Sequence, residues 1–151
     1  MQTSEAGLNF IAGQEWFTPT VKPDCGHQMC GYGHDLLPGE SFPNGITRLQ
    51  AWILLEDDVA KWDHAIAAHK LALTQNQWDV LADFTHNLGP GALNMLLAHG
   101  LDQVPHQLYH ADADGTQHGW IYAKDPHGVE QILAGLVTRR KAEIELWNRA
   151  G

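Results

Sequence analysis

The sequence predicts an α+β fold, mainly α, in which a small β-hairpin lobe near the N-terminus meets a larger helical lobe across a cleft. Three observations predict it. Between Phe17 and Asn44, helix breakers (Pro19, Pro23, Pro38, Pro43 and several glycines) mix with the β-favouring Thr18, Thr20 and Val21. After Thr47, apolar residues recur at helical spacing almost to the C-terminus. Two capping boxes, Thr47 with Gln50 and Thr74 with Gln77, mark helix starts within that stretch.

Taken in order, Ser4 caps a first short helix to about Gln14, with Leu8, Phe10 and Ile11 on its apolar side and Glu15 at its end. Residues 17–34 read as strands and turns, and Pro38-Gly39 and Pro43-Asn44-Gly45 continue as loop. From Thr47 a long helix carries Trp52, Leu55, Val59, Trp62 and Ile66 inward. From Thr74 another carries Trp78, Leu81, Ala82 and Thr85, and Gly89-Pro90-Gly91 ends it. Ala92 to His99 is a short helix, 102–110 another, 111–118 a polar loop, and about 129–149 a final helix with Ile132, Leu133, Leu136, Val137, Ile144 and Trp147 inward. Residues 1–151 form one domain, with the small lobe at about 15–46. The helical lobe spans about 47–151 and includes the N-terminal helix.

A chain of this size can bury about 70% of its unfolded surface. It therefore needs no metal or disulfide to build a core. A formal charge of −9 argues against a nucleic-acid partner, which would meet a basic face. It also gives no attraction to an anionic wall or membrane at neutral pH. Ten His make the surface pH-responsive and favour activity below neutral. No apolar run approaches the ~20 residues of a membrane span, and no signal-like segment opens the chain.

Eight residues separate Glu15 from Asp24, and Gly31-Tyr32-Gly33-His34 returns the chain beside them. Two carboxyls flanking a cleft suit acid-catalysed glycosidic cleavage, in which one holds a proton while the other stays charged. Phe10, Trp16 and Phe17 are the apolar neighbours expected to raise the Glu15 pKa. Cys25 and Cys30 bracket a hairpin-sized loop, compatible with a cross-strand disulfide or with two free thiols. With His27 and His34 they also make a C-x-H-x2-C-x3-H run, tighter than usual zinc modules. Neither a metal nor another cofactor is expected. Asp112-Ala113-Asp114-Gly115 lacks the repeated ligands and closing Glu of a calcium loop and reads as solvated. Arg139-Arg140 reads as an exposed pair that bridges to Glu143, with contact to an anionic wall group as the alternative. The Trp at 52, 62, 78 and 147 read as packing.

Three blocks together resemble a known family: Glu15 to His34 with its GYGH ending, LTQNQWDVLADFTHNLGPGAL from Leu73, and Trp120 followed by GLVTRRKAEIELW from Gly135. In this order they resemble the phage-type lysozymes (endolysins) of glycoside hydrolase family 24, the T4-lysozyme-like muramidases, over nearly the whole chain. The resemblance implies a lysozyme-like fold and hydrolysis of the β-1,4 bond between N-acetylmuramic acid and N-acetylglucosamine in bacterial peptidoglycan. It places the general acid on Glu15 and the partner that handles water and positive charge on Asp24. The family's Thr position falls on Cys30 counted from Asp24, or on Met29 counted back from GYGH. Neither is Thr, which leaves open a second reading, a wall-binding protein with little catalysis. Tyr32 and Asn87 match saccharide-lining positions. His34 and Asp79 match a structural ion pair, which would raise the His pKa and lower the Asp pKa. A monomer is implied. If a phage encodes it, the protein accumulates in the host cytoplasm and reaches the wall with a holin; otherwise it is secreted.

Overall fold

The described residues of the computed structural model are 1–24, 26–125 and 127–150. Ser4 starts helix α1 (Glu5–Glu15) by accepting the Gly7 N–H on its hydroxyl at 3.0 Å. Strands β1 (Thr18–Asp24), β2 (His27–Gly31) and β3 (His34–Asp35) then form an antiparallel sheet in the order β1-β2-β3. The register pairs Asp24 with His27, Lys22 with Met29, and Cys30 with His34. Both predicted capping boxes form, at Thr47 for helix α2 (Arg48–Ala68) and at Thr74 for helix α3 (Gln75–Leu97). Gly89 breaks α3 with φ 80° and ψ 170°, so the predicted stop is a kink inside one element. Glycine takes that left-handed φ without the Cβ penalty another residue would meet.

The C-terminal third departs from the sequence reading. A 3-10 turn at 101–103 leads into a one-turn helix α4 (Val104–Leu108). The chain then forms a hairpin of β4 (Tyr109–Ala111) and β5 (Gln117–Gly119) where loop and helix were expected. A second hairpin joins β6 (Tyr122–Lys124) to β7 (Glu130–Ile132), so helix α5 covers Ala134–Trp147 and does not begin near 129. The reason is local. The Asp125 carboxylate accepts the N–H groups of His127 and Val129 at 2.8 and 2.9 Å, which closes a turn that competes with helix. Ile132 and Leu133, expected inside, are exposed.

Two apolar clusters result. The larger gathers Ile11, Leu55, Ile66, Leu81, Phe84, Leu96, Leu108 and Trp147 from five helices. The smaller centres on Cys30, Ile46 and Ala51, with Phe17, Val21, Leu36 and Phe42 around it. Helix α2 contributes to both, Ala51 to one and Leu55 onward to the other, and Tyr32 packs against both.

Candidate active site

Glu15 is the last residue of α1, and its side chain is 16% exposed. Its Oε1 accepts a hydrogen bond from Arg139 Nη1 at 2.7 Å. A Cβ added at Gly33 (φ 78°) would lie 3.0 Å from Glu15 Oε2 and 2.9 Å from His86 Nε2. The second glycine of the GYGH turn is therefore required twice, by its backbone angle and by the carboxylate and imidazole against it. His86 has a defined tautomer. Trp62 Nε1, which can only donate, gives its proton to Nδ1 at 3.2 Å, so Nε2 carries the hydrogen and donates to the Tyr32 carbonyl at 2.9 Å. A hollow of about 220 Å³ opens beside them, lined by Gly33, Asp35, Asp58, Lys61, Trp62 and His86.

Trp16 does not supply the apolar surrounding expected for Glu15. Trp16 points away and is 79% exposed, at φ 57° and ψ 151°, a conformation that costs a non-glycine residue about 1–3 kcal/mol. The neighbour of Glu15 is a guanidinium. Arg139 also donates from Nε and Nη2 to the Asp83 carboxylate at 3.0 and 2.8 Å. Burial opposes the Arg139 charge, but Asp83 and Glu15 more than offset it and hold its pKa above the ordinary value. The next residue, Arg140, is fully buried and donates from Nη1 to both oxygens of Glu143 at 2.7 and 2.8 Å. It also donates from Nη2 to Asn87 Oδ1, and its Nε has no partner among the described residues. Burial drives the Glu143 carboxyl well above the usual range, against the pull of Arg140 and with the push of Asp83. The Arg139-Arg140 pair is thus interior, which corrects the exposed reading and its wall-contact alternative.

Sequence reasoning missed Arg139 and Asp83 as neighbours of Glu15. A signal existed, since Asp83 sits alone within the otherwise apolar run Val80 to Phe84.

The other candidates are placed as follows. Asp24 lies at the end of β1 opposite His27, and its carboxylate is outside what the structure describes, as is Cys25. The proposed Cys25–Cys30 disulfide therefore falls outside the described residues. Cys30 itself faces His34 across the β2–β3 pairing. Cys30 is fully buried against Ile46 and Ala51, and burial, with Glu40 and Asp58 nearby, raises its thiol pKa. Such enclosure sets the Cys30 thiol apart from a group open to the cleft. Met29, the other candidate for the family's Thr position, is half-buried.

Tyr32 packs its ring near Phe17 and Trp52, with centroids at 5.7 and 6.3 Å, and its hydroxyl accepts from Arg48 at 3.4 Å. Asn87 spends its carbonyl on Arg140, leaving its amide N–H groups for a ligand.

His34 does not pair with Asp79. Its Nδ1 lies 2.7 Å from Asp58 Oδ2 on α2, and its Nε2 lies 2.9 Å from Glu40 Oε2. Asp79 instead ties down the start of α1, accepting from the Ser4 N–H and hydroxyl at 2.9 and 2.5 Å. Two flanking carboxylates suit an imidazolium, which donates from both nitrogens. The Asp58 bond raises the His34 pKa, burial opposes it, and Glu40 adds to the rise. Burial works against the Asp58 charge, but His34 and Lys61 win, and its pKa falls. Both His34 nitrogens are committed and Cys30 is buried, so these two members of the Cys/His run are already engaged in the protein interior.

The phage lysozyme family matches residues 13–143. The chain belongs to the phage lysozyme family. Among its relatives is an endolysin of Bacillus phage PZA, 39% identical over 98% of this chain and 55% of that protein, so the chain spans about half the relative's length. The muramidase domain of SpmX from Asticaccaulis excentricus superposes with a TM-score of 0.79, at 25% identity over 99% of both chains. An endolysin from Escherichia coli O157:H7 phage FAHEc1 gives 0.77, at 26% identity over 98% of this chain and 94% of that one. The lysozyme-like α+β fold expected from the sequence is the one found. No helix among the described residues is long and apolar enough to cross a membrane.

Proposed function

We propose that this member of the phage lysozyme family is a muramidase, cleaving the β-1,4 bond between N-acetylmuramic acid and N-acetylglucosamine in bacterial peptidoglycan. The observation that carries the reading is Glu15, a carboxyl partly open to solvent yet fixed by Arg139 at 2.7 Å and pressed against the GYGH turn. In its protonated form Glu15 donates to the leaving glycosidic oxygen. The carboxylate left behind is stabilised at once by the Arg139 guanidinium, which needs no reorganisation. Asp24 orients water and faces the positive charge developing on the sugar. If the reaction inverts, the two carboxyls stand ~6.5–9.5 Å apart, and ~5 Å would mean retention. Tyr32 and the Asn87 amide line the saccharide path. If a phage encodes the chain, the protein acts as a monomer, collects in the host cytoplasm and depends on a holin to reach the wall.

The test is digestion of purified peptidoglycan, followed by turbidity and by mass spectrometry of the fragments. The wild type releases fragments with muramic-acid reducing ends, and Glu15→Gln is slower by about 10³-fold, roughly 4 kcal/mol of barrier. A second reading, a wall-binding protein with little catalysis, is favoured by one observation: the Cys30 thiol is buried where the family pattern has Thr. Sedimentation with the wall and no fragments from wild type would select it.

A further inference from the structure

Ten histidines are spread along this chain, and three of them meet on the β4–β5 hairpin, far in sequence from Glu15. The backbone explains why. His110 and His118 are directly paired across the hairpin, so their side chains leave the same face of the ribbon. Asp112 is two residues beyond His110, which returns it to that face. One ligand atom from each of these three residues lies within 4.8 Å of the other two. His106, one helical turn before His110, stacks on the His110 ring. The three imidazoles stack with centroid separations of 4.0 and 4.8 Å and interplanar angles of 12° and 15°.

The hydrogen bonds prepare these groups as donors to a cation. His110 Nδ1–H donates to the His106 carbonyl at 3.0 Å, which leaves Nε2 with its lone pair in the neutral ring. His118 Nε2 lies 3.0 Å from Asp112 Oδ2, so one ion can take both, with the ring proton moving to Nδ1. The neighbouring loop is already closed on itself. The Asp112 N–H donates to the Thr116 carbonyl at 2.8 Å, and Asp114 Oδ1 accepts the Thr116 N–H at 2.9 Å.

We propose that His110, Asp112 and His118 form a binding site for a divalent transition metal, with zinc the probe of choice and water completing four-coordination. Two imidazoles and one carboxylate are a borderline donor set that suits zinc, copper or nickel. Calcium and magnesium prefer an all-oxygen shell and do not substitute. Coordination draws the rings from their stack toward one point and cross-links β4 to β5. The hairpin is then stapled by the metal, and the ion stabilises the folded chain in proportion to its occupancy.

The experiment is a calorimetric titration of the chelator-treated full chain with zinc, with melting temperature read in parallel. The expected result is one zinc per chain and a melting temperature several degrees higher with zinc in excess. Affinity falls at least ~10-fold in His110→Ala and in His118→Ala and is unchanged in His99→Ala. Zinc at one equivalent also shifts the ring signals of His110 and His118 in NMR spectra of the unaltered chain, a readout that does not depend on the variants folding. No uptake at about 0.1 mM zinc, wild-type affinity in both alanine variants, or unmoved His110 and His118 signals would each overturn the proposal.

Discussion

Two groups of charged side chains organise this molecule, and they solve opposite problems. Around His34, two carboxylates (Asp58 and Glu40) face two cations (His34 and Lys61), and water reaches Glu40 and Lys61. Behind Glu15, three carboxylates (Glu15, Asp83, Glu143) face two guanidiniums, and all but Glu15 are almost fully enclosed. The first group is balanced and tied to pH through an imidazole. The second is one negative charge in excess unless a proton stays, and burial pushes the Glu143 carboxyl toward keeping it. The difference is between a clasp that answers to solvent and an enclosed frame that holds the Glu15 carboxyl from behind.

The comparison breaks most visibly at Arg139. Arg139→Met leaves Asp83 buried and unpaired, and should cost about 3–5 kcal/mol in denaturant unfolding. A loss below ~1 kcal/mol would mean water enters the frame.

His34→Asn comes next. It should cost about 3 kcal/mol near pH 5 and less near pH 9. The sign follows from the direction of the shifts. The raised His34 pKa makes its contribution complete below the unfolded value of ~6.5, and the contribution is lost as pH rises through the folded value. The depressed Asp58 pKa makes its contribution complete above ~3.9, lost as pH falls through the folded value. The clasp is therefore strongest between those limits. A cost that does not change with pH would remove the imidazolium from the account.

Smaller effects test the location of the proton. Glu143→Gln mimics the protonated acid, its amide donating toward Asp83 and its carbonyl accepting from Arg140. It should cost less than ~1 kcal/mol at pH 5 and gain on the wild type as pH rises, because a raised carboxyl pKa withdraws stability above the unfolded value. A variant that loses ground between pH 5 and 8 would place the proton elsewhere. Smallest is Lys61→Met, which removes a half-exposed partner of Asp58 and should change stability by under ~1 kcal/mol, fading in high salt.

Much of the fold was legible because the chain states it locally. Thr47 with Gln50 and Thr74 with Gln77 fixed two helix starts from four residues, and the GYGH turn announced a backbone that only glycine accepts. The C-terminal hairpins were hidden because Ile132 and Leu133 mimic a helical stripe while lying exposed, and the turn around Asp125 is decided by one carboxylate. At the candidate site Glu15 was legible from its position before the hairpin. Its true surroundings were not, because Arg139 is distant in sequence and an Arg-Arg pair on a helix ordinarily points to solvent. The choice of Asp58 over Asp79 as the partner of His34 was equally out of reach. Both are acids on long helices, and only packing decides which one arrives.

Helix α2 has one end in each apolar cluster. At 1.5 Å per residue its 21 residues make a strut of roughly 30 Å. A strut can tilt or roll but does not stretch. The spacing between the two clusters is therefore set by the angle of one rod more than by any length, as the opening of a pair of tongs is set at its pivot.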